Sequence, residues 1–166
     1  MSERNERIEL VEASFDDPIV TGLHDEQAAE PAVRFGGAVG RRSPAEPGTT
    51  FLVARARMTL IGCVGLRWVS GAGTDGNGPS SADQIAEVGH VYVRPDFRRL
   101  GVSRLLLRAA EDLARRRGCR TARLVAIDPR DAGLCEFSGY VPIQPFGPQF
   151  VRSGCFEKRL RAETGR

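Results

Sequence analysis

The segment from 87 to 107 constrains the fold of this chain more than any other part of the sequence. It begins with an apolar strand that carries Val88, Val91 and Val93. The strand is broken at Pro95, and a helix rich in arginine and leucine follows Gly101. This order predicts a strand that passes through a short connection directly into the first turn of a helix.

The connection has the composition of an anion-binding loop. It is basic and contains one glycine: Arg98, Arg99, Leu100, Gly101, Val102, Ser103 and Arg104. The first N–H groups of a helix have no partner within the helix, and the aligned peptide dipoles add positive charge there. Gly101 allows a ligand to approach the backbone, so the loop predicts a phosphate or pyrophosphate site. The alternative is an ordinary strand-to-helix turn, because short motifs of this kind are common.

Several segments resemble the GNAT N-acetyltransferase superfamily. Arg98-x-x-Gly101-x-Ser103 is similar to the family's acetyl-CoA loop, Q/R-x-x-G-x-G/A, and the preceding 87–95 resembles its strand ending in Tyr-Val-x-Pro. Residues 132–140 resemble the segment A-x-x-L-Y-x-x-x-G-[FY], and 62–67 resemble an earlier strand. The ending, with Phe146-Gly147-Pro148 and a strand over 155–160 that contains Phe156-Glu157-Lys158, resembles a bacterial subgroup. The resemblance covers roughly 51–160.

The resemblance implies that acetyl-CoA is the co-substrate and that an amine attacks its thioester directly. Backbone donors near Val91, Tyr92 and Val93 would polarise the thioester carbonyl, and the loop at 98–104 would hold the pyrophosphate. It also implies a GNAT-like α/β fold, in which a mixed and mostly antiparallel sheet has splayed strands and helices on both faces. In that fold the pantetheine lies between the strand ending near Val93 and the strand starting at Thr121.

Three features depart from the family pattern, and one of them is Arg99-Leu100, where a small or basic pair is usual. Ser103 stands where a second glycine or alanine is usual, and Cys135 stands where many members carry the tyrosine proposed to protonate the departing thiolate. Ser103 is small and can itself donate to an oxygen. Cys135 predicts weakened activity unless its thiol acts as the acid, which its unperturbed pKa of ~8.5 would allow. The other interpretation makes Cys135 a buried core residue.

Two residues on the strand are candidates for the base that deprotonates the amine. These are Glu87, at the end where the family often has a carboxylate, and His90. Strict alternation would place Glu87, Gly89 and Val91 on one face and His90 on the other, so both could not point into one pocket. Glu87 could instead be an exposed glutamate and His90 a packed histidine.

Length and composition predict one domain. The 166 residues can bury one good core, with a tail at 1–7 and a flexible loop at 70–83 rich in glycine and serine. The net charge of +3 rests on arginine, because Lys158 is the only lysine. Arginine suits the phosphates of CoA. The Arg115-Arg116-Arg117 cluster lacks interleaved aromatics, so no nucleic-acid partner is expected.

The cysteines and the apolar runs bear on compartment and metals. Cys63, Cys119, Cys135 and Cys155 lie far apart without zinc-type spacing, so no metal is expected. No apolar run approaches the ~18 residues that span a bilayer. We therefore expect a reduced, cytoplasmic protein without a membrane partner. A homodimer stays open.

Hydrophobic patterns predict alternating strands and helices, hence a three-layer α/β domain. Strands are expected over 8–13, 51–55, 60–69, 121–127, from 139 and over 155–160. Asp16 or Asp17 should cap a first helix that carries Ile19, Leu23 and Gln27 and is limited near Glu30 by Pro31. A connection over 38–48 is expected to be mobile. A second helix follows the loop and ends at Gly118, and a third covers 132–138.

Two functions from different classes follow. The first is an acetyl-CoA-dependent N-acetyltransferase acting on a primary amine of a small molecule or peptide. The second is a non-catalytic acyl-CoA-binding or regulatory module that kept the fold. The acceptor should be shaped by the least matched parts: His24, Asp25 and Glu26, Arg34 and Phe35, and the turn at 145–149.

Overall fold

The computed structural model describes residues 7–34, 47–70, 84–126, 129–146 and 154–161. The predicted tail at 1–7, the loop at 70–83, the connection at 38–48 and the glycine and proline of the FGP turn therefore lie wholly or mostly outside the described residues.

Strands and helices alternate along the described chain. Their bounds are β1 Ile8–Ser14, α1 Pro18–Arg34, β2 Thr50–Ala56, β3 Thr59–Ser70, β4 Gln84–Val93, α2 Val102–Arg116, β5 Thr121–Ala126, α3 Pro129–Phe137, β6 Val141–Ile143 and β7 Gly154–Arg159. A short 3-10 turn, Pro95–Phe97, follows β4. Each predicted strand and helix is present, with ends that differ by a few residues.

The strands form a sheet in the order β1-β2-β3-β4-β5-β7-β6. β1 and β2 pair antiparallel, as do β5 and β7 and the short β6 and β7. β4 and β5 pair parallel, from Ile85 opposite Thr121 to Val88 opposite Leu124, and β4 continues to Val93. The prediction of a mixed, mostly antiparallel sheet in an α/β fold is confirmed.

Residue contacts group the chain into two compact units. The first unit comprises Met1–Gly65 and His90–Leu106. Its core packs α1 against the sheet through Val20, Leu23, Phe51, Val53, Cys63 and Tyr92. Next to Cys63 on β3, the Cβ direction of Gly62 points instead toward Leu106 of α2. In this unit α1 and the start of α2 therefore lie on opposite faces of the sheet.

The second unit comprises Leu66–Gly89 and Leu107–Arg166. Its core is formed by the inner face of α2 and by α3, β5 and β7; the buried residues include Leu107, Ala110, Leu113, Leu124, Cys135, Tyr140 and Phe156. α2 and α3 both end at a left-handed glycine, Gly118 and Gly139. In each case the next residue donates its N–H back to the last turn, Cys119 to Ala114 and Tyr140 to Cys135, both at 3.0 Å.

The start of α1 agrees with the sequence, but its buried face and its end do not. The Oδ1 of Asp17 accepts the N–H of Ile19 at 2.9 Å, so Asp17 is the cap. The helical spacing of Ile19, Leu23 and Gln27 describes the buried face only in part, because Ile19 is exposed and the helix turns Val20 inward with Leu23. The predicted end near Glu30 is wrong, since α1 continues to Arg34. Pro31 lies in the last turn, where it removes a single backbone bond.

No helix among the described residues is long and apolar enough to cross a membrane.

Candidate functional site

The loop between β4 and α2 presents its main chain to solvent. After the 3-10 turn, Arg99 and Gly101 both adopt left-handed backbone conformations, with φ of 61° and 80°. Arg99, Leu100 and Gly101 are exposed. Left-handed residues within such a turn bring successive N–H groups toward one side, which is a geometry that binds anions.

α2 begins at this loop without a capping side chain. The first bond of the helix runs from the N–H of Leu105 to the carbonyl of Gly101 at 3.0 Å, and Val102 is buried as its anchor. Gly101 has no side chain to occupy the donors of the first turn, and a Cβ built on it would have nothing within 4 Å. The predicted phosphate loop thus has the backbone that an anion requires.

The Arg98 side chain points away from this role. Its Nε donates to the carbonyl oxygen of Val93 at 2.8 Å, and one terminal nitrogen forms an ion pair with Glu30 of α1. The guanidinium also lies 5.9 Å from the ring centre of Tyr92. In this structure Arg98 ties the end of β4 to α1, while Arg99 and Arg104 remain exposed at the loop.

Arg94, four residues before Arg98, forms a similar ion pair with α1. Arg94 donates to both carboxylate oxygens of Glu26, at 2.7 and 2.9 Å, and to the carbonyl oxygen of Leu60 at 2.6 Å. Arg94 lowers the pKa of Glu26 through this hydrogen bonding. Burial, and then the charges of Glu30 and Glu26, raise the pKa of Tyr92.

We call these two pairs, Glu26–Arg94 and Glu30–Arg98, the α1 clamp. Sequence reasoning missed it. The available signal was the shared spacing of four residues, which places both glutamates on one side of a helix.

The end of β4 is shaped by three neighbours. Gln27 of α1 donates its amide N–H to the carbonyl oxygen of Val91 at 2.9 Å, and the Cys63 thiol lies 3.8 Å from the carbonyl oxygen of His90. A Cβ on Gly62 would clash with the carbonyl oxygen of Tyr92 and lie 3.2 Å from the Cα of Val93. The backbone of this segment is therefore closely held.

His90 lies within β4 but has an unusual backbone. Its φ is 51°, a left-handed value that is uncommon outside glycine. The expectation that Glu87 and His90 face opposite sides of the strand stays a prediction. The His90 ring lies 4.8 Å from that of His24 and 5.9 Å from that of Phe51, measured between ring centres.

Glu87 belongs to the second unit, where it is paired. Its Oε2 accepts hydrogen bonds from Arg67 of β3 at 2.6 and 3.1 Å. Both side chains are partly buried. The ion pair with Arg67 holds the Glu87 side chain against β3.

Cys135 lies on α3 in the second unit, and its side chain is buried. It is 1% exposed, and burial raises the pKa of its thiol to about 11. Tyr140 is also buried, and its pKa is raised by burial and by the charge of Glu111. Neither side chain is a ready proton donor near neutral pH.

Among the described residues, no group of three or more His, Cys, Asp or Glu side chains is placed to hold a metal ion.

Comparison with known proteins gives one family. The model of the acetyltransferase (GNAT) family matches residues 15–137. No curated protein matches the chain significantly.

Solved structures share the fold at low sequence identity. A candidate acyl-CoA N-acyltransferase from Klebsiella pneumoniae is 21% identical, with a TM-score of 0.70 over 95% of this chain and 100% of that one. The PaiA N-acetyltransferase of Thermoplasma acidophilum, solved with coenzyme A, is 20% identical, with a TM-score of 0.62 over 92% and 99%. NAA60 of Arabidopsis thaliana, solved with acetyl-CoA, is 12% identical, with a TM-score of 0.63 over 93% and 99%.

Proposed function

Because the chain belongs to the acetyltransferase (GNAT) family, we propose that it transfers the acetyl group of acetyl-CoA to a primary amine of a small molecule or peptide. The observation that carries the proposal is the start of α2. There Gly101, with a φ of 80° and open space around it, leaves the first-turn donors accessible next to the exposed Arg99 and Arg104. This arrangement suits the pyrophosphate of CoA.

The reaction we propose is direct attack of the amine on the thioester. Backbone N–H groups near Val91 and Val93 stabilise the negative charge that develops on the carbonyl oxygen. The hydrogen bonds from Gln27 to the carbonyl oxygen of Val91 and from Arg98 to that of Val93 support this, because they hold the backbone next to those donors. Positioning of this kind contributes without any covalent intermediate on the protein.

Proton transfer has three proposed participants. His90 and Glu87 are the candidate bases, and the Glu87 carboxylate is held in an ion pair with Arg67. Cys135 is the candidate acid for the departing thiolate. Its pKa of about 11 makes it a weaker donor than an ordinary thiol, so we assign that proton principally to solvent.

The second candidate function is an acyl-CoA-binding module without turnover. It is favoured by one observation, the buried Cys135 at the position of the family's usual tyrosine. The same loop would then bind acetyl-CoA, and no amine would be acetylated.

The acceptor we propose is cationic. Asp25 of α1 is exposed beside the α1 clamp, whose glutamates and arginines neutralise one another, and its carboxylate favours a positively charged partner. We place the reaction in the cytoplasm, since Cys63, Cys119, Cys135 and Cys155 are free and buried, as is usual in reducing compartments.

An acceptor screen tests the proposal. The folded protein is incubated with acetyl-CoA and, separately, benzylamine, cadaverine, a lysine dipeptide and a peptide with a free N-terminus. Mass spectrometry should find at least one amine heavier by one acetyl group. Binding of acetyl-CoA without acetylation of any amine would favour the binding module.

A further inference from the structure

The only two histidines of the sequence lie against each other. His24 is on α1 and His90 on β4, and their rings are 4.8 Å apart between centres, tilted by 57°. Both belong to the first unit, which also contains the loop at 98–104. Each ring is partly buried.

The backbone conformation of His90 in this arrangement is strained. A left-handed conformation is unfavourable in a residue with a Cβ, and it persists where the surroundings enforce it. Here the surroundings are visible, because the Phe51 ring packs beside His90 and Gln27 binds the next carbonyl, that of Val91. Strained residues of this kind concentrate at functional sites.

Gln27 adds an independent observation. It follows His24 by three residues, so both lie on the same face of α1. Gln27 is 4% exposed, and its Oε1 has no hydrogen-bond partner within the part of the chain that the structure describes. A buried acceptor without a donor is unfavourable, and an N–H group that reached it on binding would remove that penalty.

We propose that His90 is the proton acceptor for the incoming amine, that His24 is its positioning residue, and that Gln27 Oε1 accepts an N–H of the amine. The proposal rests on the acetyltransferase function proposed above. The two imidazoles act as one unit, because the contact between the rings fixes the orientation of His90 beside Val91.

In the proposed reaction, the ammonium form of the amine gives one proton to the imidazole of His90. The lone pair that this frees on the amine nitrogen forms the new N–C bond. The C–S bond breaks and its electron pair leaves on sulfur. The nitrogen loses a second proton, the thiolate gains one, and one proton in total is released to solvent.

The nature of the nucleophile provides the test. An aliphatic amine is charged near neutral pH and must lose a proton before attack, whereas hydroxylamine is uncharged there. His90→Gln should therefore lower kcat/KM about 100-fold for the fastest amine of the screen and less than about tenfold for hydroxylamine. His24→Gln should show the same selectivity, and the double variant should be no more than about threefold slower than His90→Gln.

Three further measurements complete the test. Ala28→Gln, at an exposed position on the same helix, is the control and should leave both rates unchanged. Acetyl-CoA should shift the melting temperature of every variant as it does that of wild type, which shows that fold and loop are intact. Gln27→Met should raise KM for both nucleophiles, because its effect concerns binding of the amine.

Different results would contradict the roles of the histidines, the role of Gln27 and the acetyltransferase function. Equal losses for both nucleophiles would make the histidines structural, and unchanged rates or additive losses would also overturn their joint role. An unchanged KM in Gln27→Met would remove that residue from the site. Wild type that binds acetyl-CoA but acetylates neither nucleophile would contradict the acetyltransferase function itself.

Discussion

Gly101 and Gly118 allow the anion site to be tested one residue at a time. Both have a left-handed backbone, with φ of 80° and 83°, both have open space around the Cβ position, and they flank opposite ends of α2. An aspartate at either position carries the same backbone strain. Only at Gly101 would its carboxylate meet the bound pyrophosphate.

We expect Gly101→Asp to weaken acetyl-CoA binding by at least about tenfold, or ~1.4 kcal/mol. Gly118→Asp should bind as wild type does. Isothermal titration with acetyl-CoA measures both. Equal affinity in the two variants would show that the start of α2 is not the phosphate site.

Variants of Arg98 and Glu30 test whether Arg98 contacts the phosphate directly or only positions the backbone. If Arg98 acts through the carbonyl of Val93 and the ion pair with Glu30, then Arg98→Gln and Glu30→Gln should weaken acetyl-CoA binding by similar amounts. Each loss should be modest, about 1 kcal/mol, because both side chains are partly exposed. A loss confined to Arg98→Gln would instead assign a direct phosphate contact to that arginine.

Variants of Cys135 test whether this side chain only fills space or acts as the acid. A thiol with 1% exposure and a pKa of about 11 is expected to fill space, so Cys135→Ala should keep the transfer rate of wild type. Cys135→Tyr should overpack the site and lower the free energy of unfolding by roughly 1–3 kcal/mol without raising the rate. Steady-state rates and urea unfolding test this. A rate increase in the tyrosine variant would establish position 135 as the place of the acid.

β3 and β4 can pair closely because Gly62 of β3 has no side chain. A Cβ at Gly62 would clash with the carbonyl oxygen of Tyr92, whereas a Cβ at Gly89 of β4 would have nothing within 4 Å. Gly62→Ala should therefore destabilise the protein by about 1–3 kcal/mol and displace Tyr92 and Val93, where we propose that the thioester binds. Gly89→Ala is the matched control and should change stability by less than about 0.5 kcal/mol. Comparable unfolding midpoints in the two variants would contradict this account.

At the level of elements, the local patterns predicted most of the fold. Pro18 after Asp17 marked the start of α1, and Gly118 marked the end of α2, because caps depend on neighbouring residues alone. The face of α1 was misjudged at Ile19, since adjacent apolar residues leave the helix phase ambiguous. What decides the phase is the sheet against which α1 packs.

The candidate site could be predicted in part. The loop at 98–104 has a local signature, and its role in phosphate binding stays a prediction, although Arg99, Leu100 and Gly101 are exposed. The partner of Arg98, the left-handed backbone of His90 and the contact between His24 and His90 depend on residues distant in sequence. A spacing of four residues places Glu26 and Glu30 on one side of α1, but no spacing within one segment identifies the distant residues that they meet.

For the whole molecule, fold and function have different support. Structures at 12–21% identity share the fold over more than nine-tenths of the chain. Fold similarity at this level does not carry a substrate, since one fold hosts many activities. Acetyl transfer is supported by family membership and by the loop, and the acceptor rests on side chains particular to this sequence.

The most direct measurement of the central claim is release of CoA thiol from acetyl-CoA by the folded protein, with and without an acceptor amine. Our account predicts thiol release that requires the amine, equals the acetylated amine mole for mole, and falls at least about tenfold in Gly101→Asp but not in Gly118→Asp, at acetyl-CoA concentrations below KM. Thiol release that is absent with every amine, or that proceeds equally without one, would contradict it.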